Sequence, residues 1–132
     1  MKIMRRPIKA ASTSPAKDEA RKFPEFLGNL EGWLKQQMPH GYGLNGTQFY
    51  GNNYIIEFEI IPTYDGKEFG DYIILKYDWN DADKYAVVYV HDGDETIVGY
   101  GDSLDDTVMI EVLQRELYGI CDDHLTNLVN SQ

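Results

Sequence analysis

Residues 53–61 read NYIIEFEII, and this short stretch decides the fold class. Its apolar and acidic side chains alternate. One face would carry Tyr54, Ile56, Phe58 and Ile60, and the opposite face would carry Glu57 and Glu59. A period of two is the pattern of a strand with one buried side and one solvent-facing side. The stretch therefore predicts a half-buried β-strand.

Further strand patterns continue on both sides of this stretch. They are TQFYG (47–51), DYIILKYDW (71–79), KYAVVYVHD (84–92) and ETIVGYG (95–101). Asp65-Gly66 and Asp92-Gly93 are typical two-residue hairpin turns, and residues 80–83 turn the chain between two of the strands. Together these features predict an antiparallel meander of four or five strands.

A helical pattern precedes the strand region. Ser14 followed by Pro15 is typical of a helix start, because Ser caps the free N–H groups and Pro suits the first helical position. Apolar residues then recur at three- and four-residue spacing from Phe23 to Met38. Pro24 is expected to end or kink the first turn before the main helical run begins.

A second helical pattern follows GDSLDD, residues 101–106. Ser103 is the expected cap, with Asp106 in the first turn near the positive end of the helix dipole. An apolar face extends over residues 108–128, and Gly119 is expected to divide it into two helices. The predicted fold class is α+β, an antiparallel β-meander with N- and C-terminal helices packed on one face.

Charge divides the chain into two predicted regions. Residues 1–22 hold seven Lys and Arg residues and two acids, which gives a net charge of +5. Residues 23–132 hold five Lys and Arg residues and twenty acids, which gives a net charge of −15. We expect residues 1–13 to form a flexible basic arm and residues 14–132 to form a single acidic domain. A body of this sign repels nucleic acid and acidic membrane surfaces and attracts basic proteins.

Composition also limits the expected compartment. Cys121 is the single cysteine, which excludes an internal disulfide and favours a reducing setting. The sequence has no apolar run of the length that a membrane span needs, and its first residues lack the apolar core of a secretory signal. The expected location is therefore cytoplasmic, with no binding to membranes.

Residues 91–106, HDGDETIVGYGDSLDD, are rich enough in acids to suggest a metal loop. An EF-hand loop that starts at Asp92 requires Gly in the place of Ile97 and Glu in the place of Ser103. The spacing therefore predicts ordinary turn carboxylates, and no metal or cofactor is expected.

Cys121 and His124 have the spacing of neighbours on one helix face, as a thiolate nucleophile and its base require. A single Cys on an apolar helix face is more typical of a small core residue. No catalytic residue and no enzymatic activity are predicted.

Binding is the function that this composition favours. Tyr and Trp interleaved with acids are typical of protein interfaces, and Trp79 in DWNDAD is the expected apolar anchor. Rows of outward carboxylates on strands would imitate backbone phosphates. The predicted partner-binding residues are Glu57, Glu59, Asp78, Trp79, Asp81, Asp83, Asp92, Asp94, Glu95 and Asp102.

In size, charge and its mixture of Tyr and acids, the chain resembles the small acidic proteins with which phages and mobile elements block host defence nucleases, including anti-CRISPR proteins. The resemblance implies an inhibitor that occupies the basic groove of a nucleic-acid-binding protein, in the first instance a nuclease. No motif accompanies the resemblance, so it assigns no role to any residue. Two alternatives stay open, a non-catalytic structural or small-ligand-binding module of bacterial or phage origin and a small hydrolase. Formation of a homo-oligomer also stays open.

Overall fold

The computed structural model describes residues 13–131 of the 132-residue chain. Residues 1–12, most of the predicted basic arm, lie outside the described residues. The elements in chain order are α1 (Pro15–Gln37), β1 (Tyr42–Tyr50), β2 (Ile55–Tyr64), β3 (Lys67–Glu68), β4 (Tyr72–Asp78), β5 (Tyr85–His91), β6 (Asp94–Gly101) and α2 (Thr107–Asn130). The predicted α+β class is confirmed.

The six strands form one antiparallel sheet in meander order. Its main path runs β1-β2-β4-β5-β6, and the two-residue β3 pairs with the end of β2. Asp65 and Asp92 have φ of 50°, and the Gly that follows each also has positive φ. Positive φ at both central residues is what a type I′ hairpin turn requires, so both predicted turns are confirmed.

Both helices pack on one face of the sheet, as predicted. Phe58 of β2 is fully buried and its ring stacks on Phe23 of α1 with centroids 4.4 Å apart. Near the opposite edge of the same face, a Cβ on Gly101 of β6 would approach Met109 of α2 within 3 Å. The absence of a side chain at Gly101 therefore lets α2 approach the sheet closely.

The first helix does not end at Pro24, since α1 continues through that residue as one element. A Pro inside a helix removes one backbone hydrogen bond and costs roughly 3 kcal/mol. Phe23, Leu30 and Leu34 are buried against the sheet on one helix face, and this packing outweighs the local cost. Ser14 is the N-cap, as expected, and its side chain accepts a hydrogen bond from the Lys17 N–H.

The second helix differs in two respects. Its N-cap is Asp106 rather than Ser103, and the Asp106 carboxylate accepts hydrogen bonds from the N–H groups of Val108 and Met109. The helix also continues through Gly119 as one element, because buried residues on both sides of that position hold it against the sheet. Neither helix of residues 13–131 is long and apolar enough to cross a membrane.

The first strand is longer than the sequence suggested. It begins at Tyr42, whereas the predicted strand began at residue 47, because Tyr42 and Leu44 are buried in the core. Conversely, Tyr54 was expected on the buried side of β2, but it lies in the preceding turn and is exposed.

Candidate binding surface

One face of the sheet lies opposite the two helices, and we call it the open face. Along each strand, its residues alternate with those that point into the core. Residues that lie opposite each other on neighbouring strands point to the same face. Along β2 and β4 these positions include Glu57, Glu59, Tyr72, Ile74 and Lys76. Along β5 and β6 they include Ala86, Val88, Val90, Glu95, Ile97 and Tyr100.

The middle of the open face holds a small apolar cluster. Ile74, Val88 and Val90 are each less than 5% exposed, and Tyr72 packs against them. Their neighbours on the adjacent strands provide this cover, since the contacts of both helices are with the other face. Burial also raises the pKa of the Tyr72 hydroxyl.

Charged side chains cross the open face beside this cluster. Glu57 lies opposite Lys76 in the register, and the Lys76 ammonium donates a hydrogen bond to the Glu95 carboxylate at 2.9 Å. That hydrogen bond is the main reason why the pKa of Lys76 is raised. Glu59 accepts a hydrogen bond from the Thr47 hydroxyl at 3.2 Å. The predicted carboxylates therefore do share this face, although Lys76 neutralises part of their charge.

Large apolar side chains border the open face on its two edge strands. Phe49 lies on β1 opposite Glu57, while Ile97 and Tyr100 lie on β6 opposite Val88 and Ala86. Each of these three side chains is more than half exposed. No sequence pattern indicates that these side chains are exposed, because exposure of an apolar residue depends on which face the helices leave uncovered.

One end of the sheet carries Trp79 and the acids around it. The Trp79 ring is 45% exposed, and the Lys84 ammonium lies 4.5 Å from its centroid in a cation–π contact. The Asp78 carboxylate accepts a hydrogen bond from the Asn80 N–H, while Asp81 and Asp83 are exposed in the same turn. Asp102 lies at this end too, directly after β6.

Asp92 and Asp94 lie at the opposite end of the sheet, in the β5–β6 hairpin. His91 links the hairpin to the β3–β4 connection, because its Nδ1 lies 3.0 Å from the Asp71 carboxylate. Its Nε2 lies 3.3 Å from the Asp92 carboxylate. These carboxylates raise the pKa of His91, chiefly through the hydrogen bond with Asp71.

The structure thus divides the predicted binding residues among three places. The open face carries Glu57, Glu59 and Glu95, and the two ends of the sheet carry the others. A seven-residue strand such as β5 spans roughly 23 Å at ~3.3 Å per residue, so the two acidic ends are about that far apart. The acids therefore do not form one compact cluster. Within residues 13–131, no group of three or more His, Cys, Asp or Glu is arranged to hold a metal ion.

Cys121 and His124 do not form a nucleophile–base pair in this structure. Cys121 is fully buried, and burial raises the pKa of its thiol to about 12, opposite to what a thiolate nucleophile requires. The His124 ring stacks on Phe69, and its Nδ1 lies 2.7 Å from the Tyr42 hydroxyl. The ring therefore helps to join α2 to the sheet.

A groove of about 510 Å³ lies between α1 and α2. Phe26, Leu30, Leu104 and Ile110 provide its apolar lining, and Arg21, Lys22, Glu25, Asn29, Ser103, Asp105 and Gln114 provide its polar lining. The volume lies in the range of small-molecule sites.

The chain matches no protein-family model, and its comparison with curated proteins and with solved structures gave no match either.

Proposed function

We propose that this protein is a binding protein that docks its open face and the bordering acidic turns on a basic protein surface. The partner class is a nucleic-acid-binding protein, in the first instance a nuclease, whose nucleic-acid groove the protein occupies. The observation that carries the proposal is a sheet face that neither α1 nor α2 covers and that combines carboxylates with exposed Phe49, Ile97 and Tyr100.

The dimensions of the open face support this proposal. Five strands at ~4.8 Å spacing and a length of roughly 23 Å give a surface of about 19 by 23 Å, before the turns are added. A standard protein–protein interface covers about 800 Å² per partner. One partner can therefore contact the face and both acidic ends together.

The distribution of charge supports a basic partner. Glu57, Glu59 and Glu95 occupy open-face positions beside Lys76, and the acids at the two ends of the sheet border them: Asp78, Asp81, Asp83, Asp92 and Asp94. Complementary potentials of this kind accelerate association and favour partners of opposite charge. Exposed aromatic and aliphatic groups supply the desolvated contacts that most often dominate binding energy.

Capture from a bacterial lysate at low salt, followed by elution over a salt gradient, tests this proposal. We expect a basic nucleic-acid-binding protein that elutes steeply with salt and that duplex DNA displaces. The variant Glu57→Gln/Glu59→Gln should retain its fold and lose at least tenfold in affinity for that partner, as should a joint truncation of Asp78, Trp79, Asp81 and Asp83.

The matched control is Asp122→Asn/Asp123→Asn on α2, which removes the same charge away from the open face. It should bind the partner as the wild type does. Equal losses in the two double variants would show that only net charge matters, and capture that DNA does not displace would contradict nucleic-acid mimicry.

The groove between α1 and α2 favours a second candidate function, a non-catalytic module that binds a small amphipathic ligand. Its apolar lining would suit the apolar part of such a ligand, and Arg21 and Lys22, each paired with an acid of α1, lie where they would meet an anionic group. Thermal-shift screening of amphipathic carboxylates against the wild type and Leu104→Trp tests it. Stabilisation that the Trp variant abolishes supports this function, and no stabilisation of the wild type contradicts it.

A further inference from the structure

The outer edge of β1 differs in composition from the opposite edge of the sheet, which β6 forms. β1 reads YGLNGTQFY and has no charged residue, although the whole chain has a net charge of −10. Its last six residues, 45–50, are all exposed. The opposite edge strand, β6, begins instead with Asp94 and Glu95. Charged residues on an edge strand discourage pairing with other chains, and β1 has none.

The backbone of β1 directs alternate N–H groups away from the sheet. The Leu44 N–H donates to the Glu31 carboxylate of α1 at 2.8 Å, so even-numbered residues face outward at this edge. Odd-numbered residues face β2, and the Gly51 N–H accordingly donates to the Ile55 carbonyl at 2.9 Å. Gly46, Gln48 and Tyr50 therefore present their N–H and C=O groups at the outer edge. β1 is the terminal strand of the sheet.

We propose that a second copy of this chain pairs with this edge, antiparallel and centred on Gln48. The pairing joins Gly46 with Tyr50 of the second copy, Gln48 with Gln48, and Tyr50 with Gly46, each pair exchanging two hydrogen bonds. The two-fold axis stands perpendicular to the sheet, so both helix layers lie on one side. The two open faces become continuous on the other side.

Side chains at the seam fit this register. Thr47 of each copy lies opposite Phe49 of the other on the open face, and aromatic residues pair favourably with β-branched ones across strands. On the neighbouring strand β2 of each copy, Glu59 lies opposite Thr47, and Glu57 lies opposite Phe49. On the open face, the carboxylates of the two copies that lie nearest to each other across the seam are therefore three strand spacings apart, about 14 Å.

This separation exceeds the Debye length of about 8 Å at physiological ionic strength. Salt therefore screens the repulsion between two acidic bodies without weakening the uncharged seam. The dimer should strengthen as salt rises, opposite to the salt dependence of docking on a basic partner. A second copy fits this edge, because the two-fold places Thr47 of each copy against Phe49 of the other and the β1 strands that meet there have no charged residue.

Sedimentation velocity of the full chain over a range of protein and salt concentrations tests the proposal. We expect a monomer–dimer equilibrium whose association constant rises with salt. Gln48→Pro removes only an outward N–H, which an edge strand tolerates, and should lower the association constant at least tenfold. The matched control, Gln48→Thr, keeps the N–H and should dimerise as the wild type does.

Gln48→Lys keeps the backbone intact and adds a charge at the seam, so it provides the test if Gln48→Pro lowers the melting temperature. It should also weaken the dimer, whereas Glu57→Gln/Glu59→Gln should retain it. A wild type that is monomeric throughout, a dimer that weakens with salt, or a dimer unaffected by both Gln48→Pro and Gln48→Lys would overturn the proposal. Each of these outcomes leaves the proposed binding function standing.

Discussion

Val87 and Val88 are consecutive residues of β5, have the same side chain, and are 0% and 1% exposed. Val87 lies in the core under the helices, whereas Val88 lies in the small cluster on the open face. Residues on the two faces of the sheet are thus buried in different ways. The helices cover those on one face, and neighbouring side chains of the sheet cover those in the middle of the other. We infer that stability depends mostly on the covered face, which leaves the open face free to bind.

The largest effect should come from the centre of the covered face. Phe58→Ala removes a fully buried ring that stacks on Phe23 and leaves a cavity that two rigid layers cannot fill. We expect a loss of about 3–5 kcal/mol in the free energy of unfolding, measured by urea denaturation. A loss below ~1 kcal/mol would show that the helices do not form a fixed layer.

The difference between the two faces can be measured by making the same substitution, Val to Ala, at residues 87 and 88. Val87→Ala should cost about 2–3 kcal/mol, because lost burial and a sealed cavity both contribute. Val88→Ala should cost about 1 kcal/mol, because side chains on the open face can move into the vacated space. Equal losses in urea denaturation would contradict the distinction between the two faces.

A smaller effect is expected at the buried polar contact between β5 and α1. The Tyr85 hydroxyl donates to the Glu19 carboxylate, which also accepts a hydrogen bond from Lys22. Tyr85→Phe removes a donor from a nearly buried carboxylate and should cost about 1–2 kcal/mol of unfolding free energy. Tyr100→Phe is the control, since that residue is half exposed on the open face and should change stability by less than about 0.5 kcal/mol.

The smallest expected effect concerns His91, at one end of the open face. Its pKa is raised by Asp71 and Asp92, so protonated His91 adds stability below its unfolded pKa of about 6.5. That contribution is lost as pH rises through the raised folded pKa. An NMR titration should show the pKa of His91 falling in Asp71→Asn, and an unchanged value would exclude this hydrogen bond as the cause.

The strands and their hairpin turns could be predicted because their causes are local. The alternation in β2 and positive φ at Asp65 and Asp92 follow from the residues themselves. Pro24 and Gly119 were expected to interrupt helices, but packing on the sheet outweighs their local preference. The start of β1 was also missed, because Tyr42 and Leu44 become buried only once the helices pack on the sheet.

The sequence predicted which acids face away from the core, but not how the charged and apolar side chains of the candidate site lie relative to one another. Glu57, Glu59 and Glu95 do lie on the open face, as alternation implies. The Lys76–Glu95 ion pair joins residues 19 positions apart on strands that are not adjacent, and no local pattern indicates it. Nor does any local pattern indicate that Phe49 and Ile97 stay exposed.

The sequence by itself determined the strand pattern, the turns, the two helical segments and the strongly acidic character of the body. These depend on backbone preference, on periodicity and on charge, which are properties of neighbouring residues. Only the tertiary structure decided which face stays open, where the acids lie relative to one another, and which way the edge of β1 points. Those features depend on contacts between segments far apart in the chain, and such contacts exist only after packing.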